Sequence, residues 1–124
     1  MLPRRAFVVG AAGLILKGVP MDRFGMYAKV VAKPGQRDAL VENLLEASRL
    51  LTPLAGCDLY IVNVAPSEPD AVWVTEVWRS EADHDDSLKM DSVRELIART
   101  KPLVESFAPP IRLVPVGGKG LVHA

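Results

Sequence analysis

The chain has 124 residues, 49% hydrophobic and 24% charged, which is typical of one globular domain and excludes a disordered chain, a collagen or a coiled coil. Fifteen basic residues balance fifteen acidic ones, and because a neutral chain without a basic stripe is not drawn to phosphate backbones, we expect no nucleic-acid partner. A single cysteine, Cys57, excludes an internal disulfide and favours a reducing, cytoplasmic location.

The first 22 residues differ from the rest and are predicted to be a leader or an N-terminal arm. Arg4 and Arg5 precede an uncharged run from Ala6 to Leu16, which is shorter than the roughly 20 residues that a membrane-spanning helix needs. Paired arginines before a short apolar run resemble a twin-arginine export signal, although no small-x-small cleavage site precedes Lys17. Three interpretations stay open: an export signal, a leader added by an upstream start codon, and an apolar arm that packs on a partner subunit.

Residues 24–33 are rich in β-formers and are predicted to form the first strand, which ends at the turn signal Lys33-Pro34-Gly35. From Gln36 onward the apolar residues recur at helical spacing, and this helix is predicted to stop at Thr52-Pro53. Its apolar face consists of Leu40, Leu44, Ala47 and Leu51.

Two further strands are predicted over residues 58–64 and 72–79, and the short turn between them at 65–70 makes them an antiparallel hairpin. Capping-box patterns predict helix starts just after Ser80 and just after Ser92, so the second helix is split or bent near Met90-Asp91. Pro102 marks its end or a kink, and residues 111–116 are predicted to be the last strand.

The element order β-α-β-β-α-β predicts an α+β, ferredoxin-like domain over residues 23–116, followed by a tail at 117–124. In this fold an antiparallel sheet carries both helices on one face. The first and third strands are apolar on both faces, so the face without helices also needs a cover. A second copy of the sheet is the natural cover, and we expect a homodimer.

The segment from Trp73 to His84, WVTEVWRSEADH, resembles the strand-to-helix segment of the antibiotic biosynthesis monooxygenase (ABM) family, which is also described as a quinol monooxygenase family. The similarity covers about residues 23–121. The resemblance implies a dimeric α+β barrel. It also implies one of three roles found in the family: cofactor-independent oxygenation of aromatic polyketides or quinols, haem degradation, or a role not yet known.

Three residues are candidates for catalysis. Alternation along the third strand places Glu76 and Trp78 on one face, and His84 follows in the first turn of the next helix, within reach of the indole. An indole N–H donates only and suits a substrate oxygen, whereas an imidazole can accept a proton near neutral pH. A carboxylate such as Glu76 among valines and tryptophans must be paired, protonated or part of a site.

Each of these residues also has a structural interpretation. Trp78 can be an ordinary core residue and His84 a solvated helix residue. Glu76 can form an ion pair with Arg79, with Arg112 or with a residue of a partner chain. Tyr27 and Tyr60, on strands that we expect to be neighbours, together with Asn63, are candidates for substrate binding, with structural roles as the alternative.

The sequence predicts no metal and no cofactor. The run 83–86 contains three aspartates and one histidine, but neighbours on a helix point in different directions and no second histidine is close in sequence. The glycines of 9–13 lack the strand and the βαβ frame of a dinucleotide site. Without a cofactor, an oxygenase depends on an electron-rich substrate that reduces O₂ itself.

The leading functional hypothesis is therefore a cofactor-independent monooxygenase that acts on a quinol or an aromatic polyphenol-like substrate, with O₂ as co-substrate. One alternative is a haem-binding or haem-degrading protein in which His84 is an axial ligand, although acidic neighbours disfavour the neutral imidazole that iron requires. The other alternative is a non-catalytic dimeric module that binds a small apolar molecule.

Overall fold

The computed structural model describes residues 22–121, and the predictions for the leader lie outside this part of the chain. The chain divides into two compact units. Residues Asp22–Pro115 form one of them and contain the helices and strands described below. Residues 116–121 belong to the other unit, in which the Leu121 amide donates to the Gly118 carbonyl at 3.2 Å.

The first strand and the first helix agree closely with the sequence pattern. Strand β1 spans Phe24–Ala32 and helix α1 spans Arg37–Leu51. Between them the Gln36 amide donates to the Lys33 carbonyl at 2.9 Å, and Gly35 has φ 78°. A turn with proline at its second position and a left-handed third residue needs glycine at that third residue, which explains the Pro34-Gly35 pair.

The hairpin has longer strands than predicted. Strand β2 spans Cys57–Ala65 and strand β3 spans Glu68–Trp78, so the predicted turn at 65–70 is wrong and only residues 66 and 67 lie outside the strands. The register shifts between Val64, which pairs with Val72, and Ala65, which pairs with Glu68. Pro69 therefore lies in an irregular stretch of β3, where a strand tolerates a residue that has no N–H to donate.

The second helical segment is split, as predicted. Helix α2 spans Glu81–Ser87, and the Ser80 hydroxyl accepts a hydrogen bond from the Asp83 amide at 3.1 Å. Helix α3 spans Asp91–Thr100, so its predicted start after Ser92 is wrong, and no side chain caps it. A single 3₁₀ turn that contains Pro102 follows the helix.

The end of the domain contains two short strands where the sequence predicted one at 111–116. Strand β4 spans Val104–Phe107 and strand β5 spans Ile111–Leu113. Both pair with β1, β4 near Val30 and β5 near Met26, so they are two parts of one interrupted edge. The strand β4 escaped prediction because a four-residue segment with one glutamate and one serine shows little alternation.

The described strands form one antiparallel sheet in the order β2-β3-β1, with β4 and β5 along the other side of β1. This arrangement confirms the α+β, ferredoxin-like fold. Strand β3 lies between β1 and β2, so Tyr27 and Tyr60 are not on neighbouring strands, contrary to the prediction. No helix within residues 22–121 combines the length and apolar character needed to cross a bilayer.

The two faces of the sheet differ in what covers them. The face that we call the helix face packs against α1, α2 and α3, and its buried side chains include Phe24, Val30, Val72, Val74 and Trp78. The opposite face, which we call the open face, carries the alternate residues of each strand, and no helix described here packs on it. Its side chains include Tyr27, Lys29, Leu59, Ile61, Asn63, Trp73, Thr75, Val77, Ile111 and Leu113.

Candidate functional site

A cavity of about 390 Å³ lies between the helix face of the sheet and the helices. Helix α3 packs on α1, where Asn43 donates to the Thr100 hydroxyl at 3.1 Å and Arg99 pairs with Glu46 at 2.9 Å. Helix α3 thus covers the cavity on the side away from the sheet. Most of the lining is apolar: Met26, Leu44, Ala47, Leu51, Leu88, Val93, Leu96, Ile97, Val104 and Phe107. The polar lining residues are Asn43, Tyr60, Glu76, Trp78, His84, Ser87, Thr100 and Lys101.

Glu76 is a carboxyl group in an apolar setting. It pairs with Met26 on one side and Tyr60 on the other, and its Oε1 accepts a hydrogen bond from the Trp78 indole at 2.9 Å. Burial raises the pKa of Glu76 above its usual value, while the indole hydrogen bond and the positive charge of a protonated His84 act in the opposite direction.

The two arginines that could have formed an ion pair with Glu76 are paired with other acidic residues. Arg79 pairs with Asp83 at 2.7 Å, and Arg112 pairs with Glu81 at 2.6 Å. Both pairs tie α2 to the end of the sheet. Since Trp78 supplies the one hydrogen bond found to the Glu76 side chain among residues 22–121, the Oε2 atom is available to a ligand.

Trp78 is fully buried and forms part of the cavity wall. The sequence analysis assigned its indole N–H to a substrate oxygen. In the structure the single N–H of this indole is donated to Glu76. Trp78 therefore orients Glu76.

His84 lies between two aromatic rings. Its ring centroid is 4.9 Å from that of Phe24 and 5.5 Å from that of Trp78, which it meets edge to face. The predicted approach of His84 to the indole is thus found. Its Nδ1 lies 3.0 Å from Oδ1 of Asp85, and because an ionised carboxylate only accepts hydrogen bonds, Nδ1 is the donor. In a neutral ring this bond favours the tautomer with the proton on Nδ1, and Nε2 is then an acceptor with no hydrogen-bond partner found among residues 22–121.

The position of His84 follows from how α2 begins. The Ser80 cap starts the helix directly after β3, and the Ser87 hydroxyl donates to the His84 carbonyl at 2.6 Å. The helix comes so close to the β2 entrance that a Cβ atom at Gly56 would lie 2.7 Å from atoms of the Asp83 side chain. Only glycine allows this approach without a shift of one of the two segments.

Tyr60 lies opposite Glu76 on β2 and lines the same cavity. Burial, and then the negative charge of Glu76, raise the pKa of Tyr60 far above its usual value. The phenol is therefore neutral throughout the physiological range. No hydrogen bond to it is found within the described part of the chain, so it can donate one to a ligand.

Tyr27 and Asn63, which the sequence suggested for substrate binding, are not among the residues that line this cavity. Both lie on the open face, because they pair with Thr75 and Trp73 rather than with Glu76 and Trp78. Tyr27 stacks on Trp73 with centroids 5.0 Å apart, and Asn63 donates to the Trp73 carbonyl at 3.1 Å. Their contacts are structural.

Sequence reasoning missed two residues of the site. Asp85 was weighed only as one of several negative charges, although its place next to His84 signalled a possible hydrogen bond. Phe24 was assigned to a strand, but its contact with the imidazole depends on β1 lying beside β3, which no local pattern reveals.

The remaining reactive groups are ordinary. Within residues 22–121 no group of three or more His, Cys, Asp or Glu side chains is arranged to hold a metal ion. Cys57 is half-buried, and burial followed by the negative charge of Glu76 raises the pKa of its thiol. A thiol with a raised pKa is a poor nucleophile at neutral pH.

Comparison with known proteins gives a consistent result. The sequence profile of the antibiotic biosynthesis monooxygenases matches residues 23–99. A crystal structure from Chloroflexus aurantiacus, assigned to the same monooxygenases, is 42% identical, with 77% of this chain and 95% of that chain covered and a TM-score of 0.72. A search of curated proteins found no match.

Two further solved structures show how widely the fold extends. A protein from Shewanella oneidensis is 26% identical with a TM-score of 0.69, and the match covers 77% of this chain and 95% of that one. A protein from Bacteroides thetaiotaomicron is only 14% identical, yet its TM-score is 0.71 over 83% of this chain and 97% of that one. The second likeness shows the fold alone.

Proposed function

The chain belongs to the antibiotic biosynthesis monooxygenase family, and on this premise we propose that it is a cofactor-independent monooxygenase that acts on a quinol or a related polyhydroxylated aromatic compound. One observation carries the proposal. Three polar groups, Nε2 of His84, Oε2 of Glu76 and the hydroxyl of Tyr60, belong to residues that line one largely apolar cavity, and no hydrogen bond to these groups is found among the described residues.

The reaction balances without a cofactor. A dihydroxynaphthalene with a free ring C–H reacts with one O₂ to give a hydroxynaphthoquinone and one water. The substrate supplies all four electrons: two as the quinol becomes the quinone and two as the ring C–H becomes C–OH. One oxygen atom forms the new C–O bond and the other leaves as water. Removing a phenolic proton first makes the ring electron-rich enough to reduce O₂.

The residues of the cavity have distinct roles in this proposal. Nε2 of His84 accepts the phenolic proton, and Asp85 holds the ring in the tautomer that makes this possible. Oε2 of Glu76 and the Tyr60 hydroxyl form hydrogen bonds to the hydroxyl group of the substrate, while Trp78 keeps Glu76 in position. The aliphatic side chains under α3 exclude water, which protects the reactive intermediates.

The proposed enzyme is a homodimer, in which a second copy of the chain covers the open face. The open face carries several apolar side chains that are about half exposed, including Ile61, Ile111 and Leu113. A contact between two such faces of about 800 Å² per partner is the usual size of a stable interface. The homodimer predicted from the sequence remains our proposal for how this face is covered.

The test uses 1,4-dihydroxynaphthalene and ¹⁸O₂. We expect O₂-dependent formation of 2-hydroxy-1,4-naphthoquinone carrying one labelled oxygen, whereas spontaneous oxidation gives unlabelled naphthoquinone. His84→Gln removes the base, and we expect kcat to fall about 100-fold or more. A matched tyrosine pair serves as the control: Tyr60→Phe should impair turnover, and Tyr27→Phe, on the open face, should leave it unchanged.

Two outcomes would contradict the proposal. The first is the absence of labelled product across a panel of dihydroxynaphthalenes, since the apolar cavity is then not an oxygenation site. The second is a saturable Soret shift on adding haemin that disappears in His84→Ala, because His84 would then be an iron ligand and the haem alternative would hold.

A further inference from the structure

The cavity under α3 is elongated, and its length can be taken from the register of β1. At one end Met26 pairs with Glu76, and at the other Val30 pairs with Phe107. Four residues of strand separate these pairs, which is roughly 13 Å. Met26, Glu76 and Phe107 all line the cavity, so it extends over this distance and is longer than one aromatic ring.

The two ends differ chemically. The end near Glu76, which we call the inner end, has Tyr60, Trp78 and His84 beside the carboxyl group. The other end, which we call the outer end, has Lys101 together with Phe107, whose side chain is 67% exposed. Lys101 is exposed as well, so the outer end is the mouth.

The two ends of the cavity also carry charged residues of opposite sign. Glu76 is the one acidic residue that lines the cavity, and it lies at the inner end. Lys101 is the lysine of the lining, and no ion pair to it is found among residues 22–121. A lysine whose stem covers an apolar mouth while its ammonium group remains in water is well placed to meet an anion there.

We propose that the substrate is an elongated hydroxyaromatic acid, with its phenolic hydroxyl at the inner end and a carboxylate at Lys101. This inference rests on the proposed function and adds the substrate class. Its basis is that a carboxyl group and hydrogen-bonding side chains lie at one end of an apolar cavity, and that the other end has a lysine with no ion pair to any residue of 22–121.

The orientation follows from the cost of burying charge. A carboxylate at the inner end would lose its water and face Glu76, whereas at the mouth it keeps part of its hydration and gains Lys101. A phenol at the inner end finds Glu76, Tyr60 and His84 as hydrogen-bond partners. In the opposite orientation the carboxylate would face Glu76 and the phenol would lie at Lys101, away from these partners.

The experiment compares two ligands of the same shape by calorimetry. The acid 6-hydroxy-2-naphthoic acid carries its hydroxyl and carboxylate at opposite ends, and its carboxamide is the neutral counterpart. We expect the acid to bind about threefold to fivefold more tightly, which is the size of a partly exposed ion pair. Raising the salt concentration should weaken binding of the acid and leave the amide unchanged.

Variants assign the preference to one residue. Lys101→Met should remove the preference for the acid, and Lys101→Arg should retain it. Lys89→Met makes the same change of charge at a lysine that does not line the cavity, so the preference should persist. Because the salt dependence is measured on the unaltered protein, the inference is tested even if a variant folds poorly.

The outcomes separate this inference from the proposed function. Equal binding of acid and amide, with a loss of affinity in Tyr60→Phe, would overturn the substrate class and leave the oxygenase site intact. Binding of neither ligand would overturn the substrate class, and the labelled-oxygen test on dihydroxynaphthalenes decides the proposed function separately. A preference for the acid that survives Lys101→Met would place the anion elsewhere and also overturn the inference.

Discussion

At the scale of single residues, Glu76 links the site to the stability of the fold. Burial raises the pKa of its carboxyl group above the usual 4.5. Between 4.5 and the raised value the folded chain binds more protons than the unfolded chain, so stability falls as pH rises through this window. Three other carboxyl groups act in the opposite direction, because ion pairs with Arg99, Lys29 and Arg79 lower the pKa values of Glu46, Glu68 and Asp83.

The substitution Glu76→Gln isolates the contribution of this group. Glutamine keeps an oxygen for the Trp78 indole but does not ionise, so we expect the variant to gain free energy of unfolding relative to the natural protein as pH rises above about 4.5. Urea unfolding at a series of pH values measures the difference. Glu105→Gln, on an exposed position of β4, provides the control and should show a flat difference. A flat profile for Glu76→Gln as well would mean that burial does not govern this carboxyl group.

At the scale of secondary structure, two similar sequences behave differently. Ser80 and Ser92 each stand three residues before an acidic residue, but only Ser80 caps a helix. Helix α3 begins at Asp91, so Ser92 lies inside its first turn. Ser80 must start α2 immediately after β3, and this start places His84 against the indole. The cap at Ser80 is therefore part of the site's construction.

The two serines make a matched pair of variants. Ser80→Ala removes the acceptor for the Asp83 amide, and we expect it to cost about 1 kcal/mol in free energy of unfolding. Ser92→Ala removes no cap and should change stability by less than about 0.5 kcal/mol. Chemical denaturation compares the two. A larger loss for Ser92→Ala would show that the α3 start lies where the sequence pattern first indicated.

The features predicted correctly are those encoded locally. Alternation along β3 was enough to place Glu76 and Trp78 on one face, and the Ser80 cap was enough to bring His84 near them. The errors involve pairing between distant segments. The positions of Tyr27 and Asn63 relative to the cavity depend on register and strand order. The indole hydrogen bond to Glu76 depends on side-chain rotamers, which alternation does not specify.

At the scale of the whole molecule, the sheet divides two tasks between its faces. The helix face provides the cavity, and the open face provides an apolar surface. The open face also contains an internal charge pair, since Lys29 contacts Glu68 and lies 5.3 Å from the Trp73 ring centroid. Because Lys29 and Glu68 neutralise each other, burying them under a second copy of the chain does not bury an unpaired charge.

Substitutions at two residues of β2 test whether the open face is a dimer interface. Ile61 on the open face and Val64 on the helix face are each 48% exposed. We expect Ile61→Glu to convert a dimer to a monomer, since it buries an unpaired charge in the interface, whereas Val64→Glu should leave the dimer intact. Sedimentation velocity distinguishes the two. A natural protein that sediments as a monomer would contradict the proposed dimer.

The interruption between β4 and β5 has a consequence for solubility. Pro109 and Pro110 lie between these strands, at an edge of the described sheet. A proline has no N–H to offer an incoming strand, so a foreign chain cannot extend a continuous ladder along this side. Growth into fibrils by lateral strand addition is blocked there.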